Sequence, residues 1–431
     1  MTPPRRILLV DADAFFVAVA RQEDPEGAGK ARLLIVGGRP GSRGVVCSAS
    51  YECRTFGVRS AMPISRALKL CPDAMCVPVP RGACSARSRE IQAVLARFAP
   101  VVQASSIDEW YCDLGGTEAL YGHEPLRATA HRIRDAVFEA TGLRVSIGGG
   151  TSRLVAKMAV EVAKPKPGTT ADGVHCVAAG GEAAFLSTFR LADLPMVGPK
   201  LSEKLERMGL VHVREAQAWS EAALVSRLGD RAGPWLARRV QGVDDSLVTP
   251  RERQKQVSRE DTFAHDLNDD GVIERELLRL AVRVSADLRL QALRARTVTV
   301  KIKDTDFRTR SAQRTLSGYI ESEKSVLKAA RPLLRQLRGK RRVPVRLLGI
   351  ALSHFDDEPE AAPLPAAQLG LFAPPPPAPE SAPGDADPDE SPRDRALTRA
   401  LDRIRNRYGS GSILPARLVA PGDDTGPRVE E

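Results

Sequence analysis

The chain has 431 residues, 42% of them hydrophobic, and carries 64 Lys and Arg against 54 Asp and Glu, a formal charge of +10. That length supports several domains with sizeable cores, and the positive balance points toward a polyanionic partner. Seven scattered cysteines without a paired C-x-x-C spacing argue against a disulfide framework and for a reducing, cytoplasmic setting; no stretch reaches the apolar length of a membrane span.

Residues 5–11 read as a buried strand that runs into Asp11-Ala12-Asp13 and then Phe15-Phe16. Val45-Val46-Cys47-Ser48 suggests a second short strand, and apolar spacing predicts helices over Ser60–Leu70 and Ser85–Ala99. Two β-like arms, Val101–Gln103 and Trp110–Leu114, flank Asp108-Glu109. A helical pattern follows over 125–140, then a strand over Leu143–Ile147, the run Gly148-Gly149-Gly150, and a helix over Ser152–Ala163 bearing Lys157 and Lys164. With the insert near 20–80 set aside, the order strand, helix, two strands, helix, strand is the split βαβ, ferredoxin-like arrangement. It lets Asp11 meet Asp108 and Glu109. Strand alternation sends adjacent residues to opposite faces, so Asp108 and Glu109 serve one site only if a turn or bulge holds them.

A second unit over 172–248 contains Leu194-Pro195-Met196-Val197-Gly198-Pro199-Lys200-Leu201, a helix-hairpin-helix pattern. Its tight turn suits a phosphate oxygen, with Val197, Gly198 and Lys200 as the candidate DNA contacts; an ordinary helix corner is the other reading. Residues 249–256 read as a charged linker. A third unit over 257–355 holds 21 Lys and Arg against 12 Asp and Glu. Helices are expected over 272–293 and 322–339, and strands over Thr297–Lys303 and Val343–Leu352. Residues 304–310 are expected to extend the first of these strands, putting Lys301, Lys303, Arg308 and Arg310 on a basic, phosphate-contacting face. Residues 356–390 then carry nine acidic residues and no Lys or Arg. This acidic, Pro-rich tail is expected to be disordered. It contains the apolar peptide Gln368-Leu369-Gly370-Leu371-Phe372, and a basic helical pattern returns at 393–408.

Carboxylates gathered at neighbouring strand ends are costly unless a cation lies between them. Divalent metal with oxygen ligands is the usual solution, and a pair of such ions suits phosphoryl transfer.

Together these pieces resemble the Y-family DNA polymerases of the bacterial DNA polymerase IV type. The resemblance rests on Val10–Phe16, on Ala49–Pro63, on Ser106-Ile107-Asp108-Glu109 and on Ala163-Lys164-Pro165, in that order. It implies an α+β multidomain protein: a ferredoxin-like palm (1–18 and 78–171), small fingers (19–77), a helix-hairpin-helix thumb (172–248), an α/β little finger (257–355) and the tail (356–431). It implies that Asp11, Asp108, Glu109 and the Ala12 carbonyl hold two Mg²⁺ ions, and that Ser48, Tyr51, Arg54 and Lys164 bind a deoxynucleoside triphosphate. Phe16 becomes the steric gate against ribose. Gln368, Leu369, Leu371 and Phe372 resemble a peptide for the sliding clamp, the β subunit of the replicative polymerase. The implied activity is low-fidelity, template-directed translesion synthesis on primer-template DNA, by a monomer without proofreading. The competing readings are a catalytically inactive scaffold on the clamp and a helix-hairpin-helix DNA-binding protein without catalysis. Four positions depart from the family pattern: Met196 where Gly is frequent, Trp110 where a small residue is common, Gln103 where Glu is common, and Cys84 where an aromatic is frequent.

Overall fold

Every residue of the strand Ile7–Ala12 (β1) is buried, because the sheet it centres is covered on both faces. A computed structural model describes residues 4–165, 171–250, 254–356, 390–409 and 412–418, which divide into two units, Met1–Glu252 and Arg253–Glu431. Among the described residues no helix is long and apolar enough to cross a membrane.

In the first unit β1 is followed by α1 (Phe15–Glu23), β2 (Leu34–Gly37), β3 (Val46–Ala49), α2 (Tyr51–Thr55), α3 (Ile64–Leu70) and β4 (Met75–Val77). Next come α4 (Arg81–Leu95), β5 (Val101–Ala104), β6 (Glu109–Asp113), α5 (Leu126–Thr141), β7 (Val145–Gly150), α6 (Arg153–Ala163) and β8 (Val174–Cys176). The main sheet has the order β5-β6-β1-β7-β8, with β1 antiparallel to both β6 and β7. Its first four strands have the expected ferredoxin-like order. Leu8, Val10 and Trp110 pack in one layer with Ile91 of α4 and Ile133 of α5. Ile7, Leu9 and Tyr111 pack in the opposite layer against Ala156 and Val160 of α6. Strand alternation therefore puts Asp11, two residues beyond Leu9, on the α6 face.

The three glycines belong to β7, which continues past the end that the apolar pattern indicates at Ile147. A Cβ on Gly148 would stand 2.2 Å from the Ala156 carbonyl oxygen and 2.2 Å from the Val160 nitrogen. Glycine there is what lets α6 press onto the sheet. The insert forms a small sheet of order β3-β2-β4 with its own core of Ile35, Cys53, Ile64 and Ala67. Helices α7 (Glu182–Leu186), α8 (Pro199–Glu206), α9 (Val213–Gln217), α10 (Glu221–Leu228) and α11 (Ala232–Val240) close around Leu194, Leu205, Leu224 and Leu236.

The second unit runs β9 (Gln256–Leu267), α12 (Asp270–Leu290), β10 (Ala295–Asp304), β11 (Thr309–Ile320), α13 (Glu323–Lys340), β12 (Val345–Phe355) and α14 (Pro392–Tyr408). The sheet order is β11-β10-β12-β9. Val298, Val300 and Ile302 pack with Leu348 and Ile350 against Leu280 and Val284 of α12 and Leu334 of α13. Residues 304–310 do not extend β10, as the charge alternation suggested. The chain reverses after Asp304, and Thr309 begins the return strand opposite Lys303. Strands β9 and β11 escape sequence reading because charged residues interrupt the apolar face of each, Arg259 and Asp261 in β9 and Arg310 and Arg314 in β11.

Most of the tail expected to be disordered lies outside the described residues, and so does the peptide 368–372 expected to meet the sliding clamp. The helix expected at 393–408 is formed. Its Asp394 and Asp402 pair with Lys324 and Arg289, and its Arg399 pairs with Glu321. Just before it, the buried Glu390 carboxylate accepts from the Glu321 and Ser322 N–H groups. Charge pairing, more than apolar burial, holds this helix, and Leu397 remains 56% exposed.

Candidate active site

Asp11, the last residue but one of β1, lies directly opposite Glu109 in the pairing with β6. Cross-strand partners share a face, so both carboxylates meet the layer of α6. Asp108 precedes β6 and falls in the bend 105–108, where the Ser105 and Ser106 N–H groups both donate to the Glu109 carbonyl. The Ala12 N–H donates to the Asp108 carbonyl at 2.9 Å, which ties the bend to β1. The turn that sequence alternation demanded is therefore present. The Ser106 hydroxyl donates to the Asp108 carboxylate.

One cavity of about 210 Å³ is lined by Asp11, Ala12, Asp108 and Glu109 together with Phe16, Ser48, Tyr51, Arg54 and Lys164. All the residues that the sequence assigned to catalysis, metal and nucleotide thus line one space. Ala14 turns the chain from β1 into α1 with a left-handed φ of 47°, and Phe16 enters the cavity from the first turn of that helix. Phe16 meets Phe15 edge to face at 5.5 Å, and Phe15 is anchored in the core. Ser50 caps α2, which begins at Tyr51. The Arg54 Nε donates to the Ala49 carbonyl at 3.0 Å, and its guanidinium lies 4.7 Å over the Tyr51 ring. Lys164 sits one residue beyond α6, where its Nζ is 2.9 Å from Asp11 and 2.7 Å from Glu161.

Burial pushes the Asp11 carboxyl up to about 7, against the pull of the Lys164 ammonium. Burial also raises Asp13, opposed by the hydrogen bond its carboxylate accepts from the Ser146 hydroxyl at 2.8 Å. For Lys164, burial works against the charge, but Asp11 and Glu161 hold its ammonium above the ordinary lysine range. The cavity also takes in Asp13, Cys47 and Ser60, which sequence reasoning misses. The Asp-x-Asp spacing carries a signal for Asp13; nothing in the sequence signals the other two.

The donor set suits a hard cation: three carboxylates and the Ala12 residue, with lysine ammonium groups already seated on Asp11 and Glu109. Among the described residues no three such ligands stand close enough to form a ready metal cluster.

The candidate DNA contacts fare unevenly. In the α8 turn Lys200 is exposed and Gly198 is the helix N-cap. Val197 is buried, and its N–H donates to the Leu194 carbonyl, so it serves the core instead of a phosphate. Met196 adopts φ 72° with its side chain in solvent, which explains why glycine is favoured at this point. On β10, Lys301 and Lys303 share the face turned away from the helices, and Lys301 pairs with Glu260 at 2.8 Å. Arg308 is exposed on the reversal. Arg310 is not on that face. It lies opposite Ile302, binds the buried Asp304 at 2.8 and 3.0 Å, and donates to the Leu337 carbonyl. Of the other departures, Trp110 and Cys84 are buried core residues, and the Gln103 side-chain oxygen accepts from the Thr249 N–H.

Residues 10–161 match the impB/mucB/samB family, and residues 254–370 match the C-terminal domain of that family. DNA polymerase IV of Methanoculleus marisnigri is 38% identical over 361 residues, covering 83% of this chain and 96% of the relative. DNA polymerase IV of Dehalococcoides mccartyi strain CBDB1 is 35% identical over 351 residues, covering 81% and 87%. Among solved structures, a Y-family DNA polymerase chimera of Dbh and Dpo4 superposes with a TM-score of 0.72 at 24% identity, over 81% of this chain and 98% of that one.

Proposed function

We propose that this chain, which belongs to the impB/mucB/samB family and is a DNA-directed DNA polymerase of the translesion, Y-family type, adds deoxynucleotides to a primer 3′-hydroxyl by a two-metal mechanism without proofreading. The observation that carries this reading is the single cavity shared by Asp11, Asp108 and Glu109 with Phe16, Ser48, Tyr51, Arg54 and Lys164.

Asp11, Asp108, Glu109 and the Ala12 carbonyl would hold Mg²⁺, whose bound charge would offset the triphosphate and acidify the primer hydroxyl. Arg54 spends its Nε on the Ala49 carbonyl, which orients its terminal nitrogens as a two-pronged phosphate donor. Lys164 supplies a fixed ammonium beside the same cavity, so two cations stabilise charge that builds on the leaving pyrophosphate. Phe16 narrows the sugar position, and a ribose 2′-hydroxyl would meet its ring. No side chain lining the cavity stands out as general base, since its carboxylates Asp11, Asp108 and Glu109 are assigned to metal, so the primer hydroxyl, acidified by a bound ion, would lose its proton to water. The exposed Arg308, Gly198 and Lys200 and the half-buried Lys303 are the remaining phosphate contacts. Residues 368–372 would dock this monomer on the sliding clamp in the cytoplasm and raise its effective concentration on DNA.

Primer extension by the purified full chain with Mg²⁺ and four deoxynucleotides tests the reading. Asp108→Ala should abolish incorporation while retaining DNA binding. Wild-type incorporation by that variant would refute the metal site, and an inactive wild type across templates and metals would favour the scaffold. The intact carboxylate set in one cavity argues against a scaffold.

A further inference from the structure

Lys157 is a charged residue beside the carboxylates that the nucleotide site does not employ. It projects from α6 seven residues, or two helical turns, before Lys164, so both lysines reach the same face of the sheet. Its ammonium forms an ion pair with Glu109, with the two side chains 27% and 24% exposed. It does not line the cavity that Glu109 lines. Lys164 has two carboxylates to share, Asp11 and Glu161; among the described residues the only ion-pair partner of Lys157 is Glu109.

Asp11 and Glu109 are direct cross-strand neighbours, and like charges so placed repel in a partly dry setting. Each carboxylate, when ionised, gains from a cation, and Lys164 and Lys157 are the cations seated on Asp11 and Glu109. The ammonium engages Oε1 of Glu109, so a divalent ion that takes that oxygen, alone or with Oε2, meets Lys157 at the same atom and must compete with it.

We infer that Lys157 is a positioning residue that holds Glu109 when the metal site is empty and is displaced by the entering divalent ion, so that metal entry is an exchange of one cation for another. Lys157 keeps the two carboxylates ordered and apart before substrate arrives. It also sets a lower metal affinity than the carboxylates alone would give, since the ion must break a partly buried pair and tolerate the displaced ammonium nearby. The inference rests on the metal-site reading above.

The test is Mn²⁺ binding to the chelator-stripped full chain at pH 8, followed by the electron paramagnetic resonance signal of free Mn²⁺. Lys157→Met should bind Mn²⁺ about fivefold more tightly than wild type, the scale of one partly buried ion pair. A residue that merely supported the fold would move affinity the other way when removed. Lys157→Arg, which retains the charge, should stay near wild type. In a Glu109→Gln background Lys157→Met should give no gain. Unchanged or weaker Mn²⁺ binding by Lys157→Met, confirmed by Lys157→Gln if the first variant folds poorly, overturns the inference. If wild type binds no more Mn²⁺ than Asp108→Ala, the metal site itself is wrong and the exchange falls with it. Saturable wild-type binding without tightening in Lys157→Met sinks the exchange alone.

Discussion

The Lys164 ammonium stands 2.9 Å from the Asp11 carboxylate, yet the Asp11 carboxyl is raised to about 7 because burial outweighs that attraction. An unfolded chain ionises this group near 3.8. Between those values the folded state keeps a proton that the unfolded state has released. Stability from this group is therefore unaffected below about pH 4, falls as pH rises toward 7, and stays reduced above it. Asp11→Asn removes the cost and the metal ligand together. In chelator, thermal melting at pH 8 should favour Asp11→Asn over wild type by on the order of 1 kcal/mol, once the lost Lys164 contact is allowed for. At pH 5 the advantage should shrink, and incorporation should be lost at both. A variant that melts below wild type at pH 8 would contradict the assigned cost.

Phe16 reaches the cavity beside Ser48 and Tyr51, with Phe15 fixing it from the core. Phe16→Ala should raise ribonucleotide incorporation relative to deoxynucleotide by roughly 100-fold, because a steric exclusion is removed and no attractive contact is needed. Single-nucleotide extension with matched pairs of sugars measures this ratio. An unchanged ratio would reject Phe16 as the gate.

Met196 holds a left-handed backbone with its side chain 79% exposed, so it carries strain without repaying it through burial. Met196→Gly should stabilise the first unit by about 1 kcal/mol. Denaturant titration of the full chain, followed by the fluorescence of Trp219 and Trp235 in the same helical core, reads the change. A midpoint at or below the wild-type value would mean the turn is not strained.

Arg310 and Lys303 look alike in sequence and should behave oppositely. Asp304 is wholly buried, and Arg310→Ala leaves it with Arg341 alone, a loss of about 2–3 kcal/mol from the second unit. Lys303→Ala should melt like wild type but weaken DNA binding, with the salt dependence of log K reduced by about one. Melting curves and DNA titrations at several salt concentrations separate the two. A normal melt for Arg310→Ala with a lowered salt slope would reverse these roles.

Deletion of 368–372 should leave unassisted synthesis intact and remove stimulation by the sliding clamp. Primer extension with and without clamp measures it, and equal stimulation after deletion would exclude this peptide as the main tether.

The chemistry of this chain is written locally, which makes it legible in the amino-acid sequence. Asp11-Ala12-Asp13, Asp108-Glu109, Tyr51, Arg54 and Lys164 each lie in a short motif whose residue types announce cation or phosphate handling. The apolar run of β1 and the periodicity of α5, α6, α12 and α13 mark their elements because one buried face imposes a period on the sequence. Direction and partnership belong to the tertiary structure. Only the reversal after Asp304 decides that Arg310 turns to the helices while Lys303 stays on the other face of the sheet, since a hairpin resets which face each residue occupies. Only the approach of α6 explains Gly148 and Gly150 inside β7, while Gly149 faces Cys176, Leu8 and Leu126 on the other side of the sheet. Only the meeting of β1 with β6 seats Lys157 on Glu109, because an ion pair between residues 48 positions apart leaves no periodic trace in either segment.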